Sequence, residues 1–312
     1  MQPLVSIIIP CFNAECWVAE AIQSCLNQTY QPIEVIVIDD GSTDKSMEVI
    51  KSFGDKIRWE TGPNRGGCAA RNKGLAMARG DFIQFLDADD LLTPNCVSAK
   101  IFYKSNVNTV VCSNVDIIDK FSGRVIIDSW RKREYSLKSM LLAAAPQTAA
   151  PLHPRQNLLL VGGFRDGLPC AQEYDLHIRL AILCKIKFIT IDHVGVLIRP
   201  ITTSVSRAAG GKMRLAIIDV LLNAYELLEH NGMASSENKS AIAQQLSGIA
   251  RALWREGNVN EARSLVKRAK SLSNEWFIGC YNGSVATFLA STLGFSAFEC
   301  LHSLYTALWN RR

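Results

Sequence analysis

Three carboxylates stand within four residues of the sequence, at Asp87, Asp89 and Asp90. They follow a short apolar run, residues 82–86, that is typical of a buried strand. Carboxylates this close repel one another, and a hard divalent cation with oxygen ligands relieves the repulsion. Mg²⁺ or Mn²⁺ usually takes one or two carboxylates and shares phosphate oxygens with a substrate. The pattern therefore favours a metal site, and the alternative is a solvated acidic turn.

A second acidic pair, Asp39 and Asp40, follows a β-branched run at residues 35–38. In an open parallel sheet, ligands bind outside the carboxyl ends of the strands, so both acids are expected to face one crevice. Hydrogen bonding to a nucleotide base or ribose is the functional interpretation. The alternative is an ordinary cap and turn before a helix at residues 44–53, and Asp40 could serve both purposes.

Two further charged residues lie near predicted helix starts. Arg71 belongs to a helix of small residues, 67–78, which matches neither the GxGxxG fingerprint nor the GxxxxGK[ST] phosphate loop. Arg71 could contact a nucleotide or diphosphate, or it could be a surface cation. Glu173 opens an amphipathic helix at 171–183 and is the candidate general base for an acceptor hydroxyl. The alternative role for Glu173 is a favourable interaction with the helix dipole.

The elements that must position these residues alternate simply over residues 1–115. Short apolar runs are separated by amphipathic segments, which is the pattern of a parallel sheet covered by helices on both faces. The predicted strands are 5–9, 35–38, 57–59, 82–86 and 109–112. The fold class is therefore α/β, with a mostly parallel sheet flanked by helices.

Beyond residue 115 the pattern loosens, and a hairpin turn is predicted at residues 119–123. From about residue 208 the chain is helical throughout. Segments 241–254 and 260–272 form a predicted helix hairpin that is similar to one tetratricopeptide unit. We therefore predict two parts, an α/β domain at 1–206 and an all-α C-terminal region at 207–312.

Composition narrows the classes of function. The net charge is +5 without a dense basic face, which argues against a nucleic-acid binder. Ten cysteines include no CxxC pair and lie mostly in apolar runs, which indicates buried thiols in a reducing compartment. The N-terminus lacks the features of a signal peptide, so a cytoplasmic location is expected.

The C-terminal region contains residues 276–298, which carry no charged side chain over 23 positions. This length is sufficient to cross a bilayer, but many small and polar residues dilute the segment. Packed helices are the favoured interpretation, and peripheral contact with the inner face of the membrane is second. A membrane-spanning helix is third.

Taken in order, these motifs resemble the family 2 glycosyltransferases with the nucleotide-diphospho-sugar transferase (GT-A) fold. The matching stretches are 5–13, 35–44, 67–74, 85–90 and 161–164 leading to 173–180. The resemblance implies that residues 1–206 are a GT-A catalytic domain. Residues 207–312 lie outside it.

The resemblance also implies roles for particular residues. The implied donor-binding residues are Pro10, Phe12, Asn13, Asp40, Arg71, Asp87 and Asp90. Asp89, with Asp87, would bind the Mn²⁺ or Mg²⁺ that bridges the diphosphate, and the assignment among the three acids stays open. Glu173 stands at the position of the family's base, one methylene longer than the usual aspartate, and Gln172 replaces the usual glutamate before it. The family's later histidine is missing near Arg199.

The expected activity is transfer of a sugar, with inversion, from a nucleotide-diphosphate donor to a hydroxyl acceptor. By resemblance, the setting is assembly of a surface polysaccharide or a lipid-linked glycan. Two alternatives come from other classes. A nucleotidyltransferase of similar fold would usually carry a glycine-rich basic loop after its first strand, which residues 10–13 are not. A non-catalytic module that binds nucleotide sugars or presents its helices to a partner is the other.

Overall fold

The structure is a computed structural model of the chain. It describes residues 2–103, 108–119, 122–129, 135–200, 210–277 and 294–301. Contacts divide the chain into two compact units. The first consists of Met1–Ser136 and Ala145–Ala216, and the second consists of Leu137–Ala144 and Ile217–Arg312.

The first unit is built on a mixed sheet, which has nine strands among the described residues. They are β1 (Val5–Cys11), β2 (Ile33–Asp39), β3 (Arg58–Thr61), β4 (Phe82–Phe85), β5 (Leu91–Leu92), β6 (Thr109–Ile118), β7 (Val125–Ser129), β8 (Pro151–Pro154) and β9 (Lys187–Ile198). The strand order is β3-β2-β1-β4-β8-β6-β9-β5, and β7 pairs with β6. The predicted α/β class is confirmed.

The β3-β2-β1-β4 half of the sheet is parallel, as the apolar runs predict. Successive residues of β1 are buried on both faces of the sheet, so no polar alternation is needed along this strand. The helices of this unit are α1 (Val18–Leu26), α2 (Ser46–Lys51), α3 (Gly67–Met77), α4 (Cys96–Phe102), α6 (Arg155–Leu160) and α7 (Gln172–Leu183). Parallel pairing brings the carboxyl ends of β1, β2 and β4 to one edge of the sheet.

The other half of the sheet is mixed. Strand β8 runs antiparallel to β4 and β6, whereas β9 runs parallel to β6. Strands β6 and β7 pair antiparallel on either side of the hairpin turn predicted at residues 119–123. Residues 120 and 121 of that turn lie outside the described residues. The sequence pattern indicates no strand at β8, since its prolines cannot donate to a sheet. Pro151 and Pro154 are tolerated there because they are the first and last residues of the strand.

Helix α3 lies unusually close to the sheet. A Cβ atom added at Gly74 would lie 2.4 Å from Cγ2 of Ile8, a fully buried residue of β1. Small residues in a helix allow either close packing or the close approach of a ligand. At Gly74 the purpose is packing of α3 against β1.

We expect Gly74→Ala to destabilise the first unit by about 1–2 kcal/mol. Overpacking of a buried site costs about 1–3 kcal/mol, which exceeds the gain of about 1 kcal/mol in helix propensity. The matched control is Gly248→Ala, at an exposed helical glycine where an added Cβ meets no atom within 4 Å. The free energy of unfolding of that variant should rise by up to about 1 kcal/mol. Urea unfolding measures both, and a stabilised Gly74→Ala would contradict the close approach.

Two histidines are buried side by side beneath helix α7. His153 of β8 and His177 of α7 stack with ring centroids 5.4 Å apart, and each is about 1% exposed. Neither ring nitrogen of His153 has a hydrogen-bond partner among the described residues. Burial lowers the pKa of His153 well below its usual value, with further contributions from His177 and Lys100. Burial, aided by the charge of Arg179, lowers the pKa of His177 to about 3.

The histidine pair should make the fold sensitive to acid. In the unfolded chain a histidine binds a proton below about pH 6.5, whereas buried His177 stays neutral at that pH. Protonation therefore favours the unfolded state as the pH falls. The contribution of His177 to the free energy of unfolding is complete above pH 6.5 and declines below it. Between pH 8 and pH 5 this loss is about 2 kcal/mol for His177 alone. His177→Phe should therefore lose less unfolding free energy than wild type over that range. Equal losses in the two proteins would contradict the prediction.

The second unit is helical. Its helices among the described residues include α5 (Leu137–Leu141), residues 217–230 of α8 (Gly210–His230), α9 (Ser236–Arg255) and α10 (Val259–Leu272). Helices α9 and α10 pack on each other across a short connection that contains Gly257 at φ 86°. Among the described residues, no helix has the length and apolar character that a membrane crossing requires. Most of the uncharged segment at 276–298 lies outside the described residues.

Candidate active site

The loop after β1 is tied to the loop after β2. Asn13 adopts a left-handed conformation with φ 48°. Its backbone N–H donates to Oγ of Ser42 (3.0 Å), and its Oδ1 accepts from the backbone N–H of Thr43 (2.8 Å). Phe12 is 50% exposed, so its ring is available to a ligand, and Pro10 is partly exposed beside it. Three of the predicted donor-binding residues therefore share one rim of the sheet edge.

Asp40 holds the next loop in place. Its two carboxylate oxygens accept the backbone N–H groups of Arg65 (2.9 Å) and Gly66 (2.8 Å), which lead into α3. Gly41 has φ 77°, and an added Cβ there would lie 2.7 Å from the backbone nitrogen of Asn64. The cap of α2 that sequence reasoning considered for this acid is not observed. Each carboxylate oxygen can accept a second hydrogen bond, so base binding stays a prediction for Asp40.

The three acids after β4 form one cluster. One carboxylate oxygen from each of Asp87, Asp89 and Asp90 lies within 4.8 Å of the others. Burial, with the charge of Asp87, raises the pKa of Asp89 to about 6. Burial and the charges of Asp89 and Asp87 raise the pKa of Asp90 as well. Close carboxylates make one another's ionised forms unfavourable, and a cation bound between them would reverse this effect.

Arg71 connects this cluster to helix α7. Its Nη2 donates to Oδ1 of Asp87 (2.6 Å), and its Nη1 donates to Oε1 of Gln172 (2.8 Å). The guanidinium also lies over the ring of Phe164, 5.3 Å from its centroid. Arg71 is 9% exposed, so the surface-cation interpretation is wrong. Gln172 and Phe164 are partners that sequence reasoning missed, because Gln172 is 101 positions from Arg71 in the chain.

Glu173 and Asp175, both on helix α7, differ in burial and in ion pairing. Asp175 is 2% exposed and pairs with Arg165 (3.2 Å) and, one helical turn on, with Arg179 (2.6 Å). Glu173 is half-buried, and no ion pair to it is seen among the described residues. Burial raises the pKa of Glu173, while the nearby charge of Arg71 acts in the opposite direction. A carboxylate with a raised pKa beside an acidic cluster has the properties of a general base.

Arg199, at the end of β9, contacts the acidic cluster from the other side. Its backbone N–H donates to Oδ1 of Asp90 (3.2 Å), and its Nη1 donates to the carbonyl oxygen of Asp89 (3.3 Å). The guanidinium pairs with Glu20 and lies over Trp17, 5.2 Å from the ring centroid. Sequence reasoning noted only the missing histidine near Arg199. No local signal places Arg199 here, because the contact depends on the return of β9 to the sheet.

The parallel strands β2 and β4 end at acids on one edge of the sheet, and β9, in the mixed half of the sheet, ends beside the acids that follow β4. This is the GT-A type of glycosyltransferase fold. Residues 6–152 match the family model for Glycosyl transferase family 2. Through this segment, just under half of its length, the chain is similar to glycosyl transferase family 2.

Individual proteins are similar to the chain as well. An uncharacterized glycosyltransferase of Haemophilus influenzae is 55% identical over 95 residues, a match that covers 29% of this chain and 38% of that protein. The crystal structure of S. aureus TarS 1-349 in complex with UDP-GlcNAc shares the fold, with a TM-score of 0.62 and 17% identity. That match covers 97% of this chain and 91% of TarS 1-349.

A second solved structure shares the fold at a lower level of similarity. It is the mannosyltransferase PcManGT from Pyrobaculum calidifontis in complex with GDP-Man and Mn²⁺. The TM-score is 0.52 at 15% identity, and the match covers 94% of this chain and 87% of that one. At these identities both structures support the fold of this chain.

Proposed function

We propose that the chain transfers a sugar, with inversion, from a nucleotide-diphosphate donor to a hydroxyl acceptor. The observation that carries the proposal is the bridge through Arg71, which bonds both Asp87 and Gln172. It ties an acidic cluster suited to a diphosphate-bound cation to the helix turn that carries Glu173. A single displacement needs the cation-bound diphosphate on one side of the reacting carbon and the general base on the other.

The acidic cluster fits a hard divalent cation. Three carboxylate oxygens within 4.8 Å supply the oxygen ligands that Mg²⁺ and Mn²⁺ prefer, and burial, with the charge of Asp87, raises the pKa of Asp89 to about 6. Asp89 and Asp87 would hold the cation, which supplies compensation for the charge on a departing diphosphate. Asp90 is 3% exposed and accepts the backbone N–H of Arg199, so its role is to fix the turn. Mn²⁺ in the complex of PcManGT supports this choice of metal.

The chain's own residues divide the remaining work. Glu173 accepts the proton of the acceptor hydroxyl as that oxygen attacks the sugar carbon. Arg71 keeps Asp87 in place through a partly buried ion pair, in which the two side chains are 10% and 32% exposed. Arg199 holds the main chain of Asp89 from the opposite side. Fixed donors and acceptors of this kind need little rearrangement during the reaction.

The donor is proposed to be a nucleotide sugar. Phe12, Asn13 and Asp40 line the rim where a base would bind, and Pro10 shapes the start of that loop. UDP-GlcNAc in the complex of TarS and GDP-Man in that of PcManGT support this class of donor. The acceptor is proposed to be a saccharide or lipid-linked glycan in surface polysaccharide assembly on the cytoplasmic side of a membrane.

Each of the two predicted parts of the chain has its own proposed function. Residues 1–206 would be the catalytic domain, and residues 207–312 the helical region, including one hairpin similar to a tetratricopeptide unit. All residues named for the reaction lie in the first part. The helical region is proposed to serve peripheral membrane contact.

A donor panel tests the function. The chain is mixed with nucleotide sugars and Mn²⁺, and released nucleoside diphosphate is measured with and without saccharide acceptors. Release with one donor and inversion at the sugar carbon in the product are expected. Pyrophosphate release from a nucleoside triphosphate and a sugar phosphate would indicate a nucleotidyltransferase. Donor binding without any turnover would indicate a binding module.

A further inference from the structure

Helix α10 carries a stripe of cations along one exposed side. Arg263, Lys267 and Lys270 follow at spacings of four and three residues, so they share one face of the helix. Together with residues 294–297 they line a groove of about 520 Å³, which we call the basic groove. The floor of the basic groove includes Val266 and Phe295, both buried.

The basic groove has no internal charge compensation among the described residues. No carboxylate there pairs with Arg263, Lys267 or Lys270. Like charges at this spacing weaken a helix, so the arrangement is unfavourable without an external anion. Two of the cations are nevertheless held in place by aromatic rings. Arg263 lies 5.7 Å from the ring centroid of Trp254, and Lys270 lies 4.9 Å from that of Trp276.

The apolar side of α10 is already occupied within the second unit. Ala262 and Ala269 are fully buried, and Val266 and Leu272 are nearly so, because α10 packs against α9. The helix therefore has no free apolar face to insert into a bilayer. Any attachment through the basic groove depends on charge, and salt should weaken it.

We propose that the basic groove docks the protein on an anionic phospholipid surface. Charge complementarity is the argument, because a plane of headgroup phosphates meets three cations in a row at once. The biological purpose rests on the proposed function, in which a lipid-linked acceptor would lie at the same surface.

Vesicle co-sedimentation of the full chain tests the proposal. The vesicles contain either phosphatidylglycerol mixed with phosphatidylcholine or phosphatidylcholine alone, at low and high salt. We expect binding only to the anionic vesicles, with release by high salt. Replacing Arg263, Lys267 and Lys270 together by Gln should weaken binding about a hundredfold at low salt. The matched control removes the same charge at exposed Lys51, Lys56 and Lys187 and should bind nearly as wild type.

Other results would overturn the proposal. They include equal binding to neutral vesicles, equal losses in the two triple variants, and a salt-sensitive dimer that forms through these cations without any vesicle binding. Lys267→Glu is a second variant, because no aromatic contact is seen for Lys267 among the described residues. It should also weaken vesicle binding. Nucleoside diphosphate release with a soluble acceptor is measured without vesicles, so failure of docking is distinguishable from failure of the proposed function.

Discussion

Glu173→Gln should reduce the rate of sugar transfer about 10²–10⁴-fold, the usual cost of losing a general base. Glutamine keeps the shape of the side chain but does not accept the proton of the acceptor hydroxyl. Donor affinity should hardly change, because Glu173 is assigned to the acceptor. Single-turnover rates and nucleoside diphosphate binding separate the two effects.

The pH dependence of the rate gives an independent test of Glu173. Burial raises the pKa of Glu173, so in acid the rate should decline at a higher pH than for an ordinary glutamate. The residual rate of Glu173→Gln should lack this decline. Glu48→Gln, at an exposed glutamate of α2, is the control and should behave as wild type. Undiminished turnover in Glu173→Gln would place the base elsewhere.

Asp175→Asn is expected to lose activity through loss of stability, and not through loss of the general base. Asp175 is paired with Arg165 and Arg179, so its loss leaves two partly buried guanidinium groups without this carboxylate. Removing one partner of a fully buried pair costs about 3–5 kcal/mol of stability, and the partial exposure of the two arginines should reduce this cost. Reduced activity of this variant should therefore follow its loss of folded protein. A fully folded but inactive Asp175→Asn would give Asp175 a direct part in the chemistry.

Asp89→Ala should abolish most donor binding and lower turnover at least about a hundredfold, because metal compensation of transition-state charge is worth several kcal/mol. Mn²⁺ binding, measured by titration without donor, should weaken as well. The metal-free variant should be as stable as wild type or more so, since one of three crowded carboxylates is gone.

The control for Asp89→Ala is Asp55→Ala, which removes an exposed carboxylate far along the chain from the cluster. It should bind donor and Mn²⁺ normally. Two results together would refute the metal assignment: full activity of chelator-treated enzyme, and wild-type behaviour of Asp89→Ala. Loss of activity with unchanged Mn²⁺ binding would instead show that Asp87 and Asp90 suffice to hold the cation.

Much of the site could be predicted because strand order and strand ends are locally encoded. The runs before Asp39 and Asp87 are β-branched or apolar and buried on both faces, so they form parallel strands on either side of β1. Parallel strands end at one edge, which brings their following acids together. The turn of Asp175 toward Arg179 likewise follows from helix geometry alone.

Other features depend on residues far apart in the chain. Arg71 reaches Gln172 across 101 positions, and Arg199 reaches Asp90 across 109. Residues 137–144 belong with the helical unit although the sequence on both sides belongs to the first. No periodic pattern in the sequence indicates these features, because each arises only when distant elements pack.

The sequence by itself determined the class of fold, the edge of the sheet that carries the site and the acids that gather there. These follow from hydrophobic pattern and strand direction, which act over a few residues. The tertiary structure alone decided which cations hold those acids and that α3 packs on Ile8 through Gly74. It also decided that β8 forms between two prolines. The physical reason is that burial and pairing of polar groups are set by neighbours in space, and chain order does not specify them.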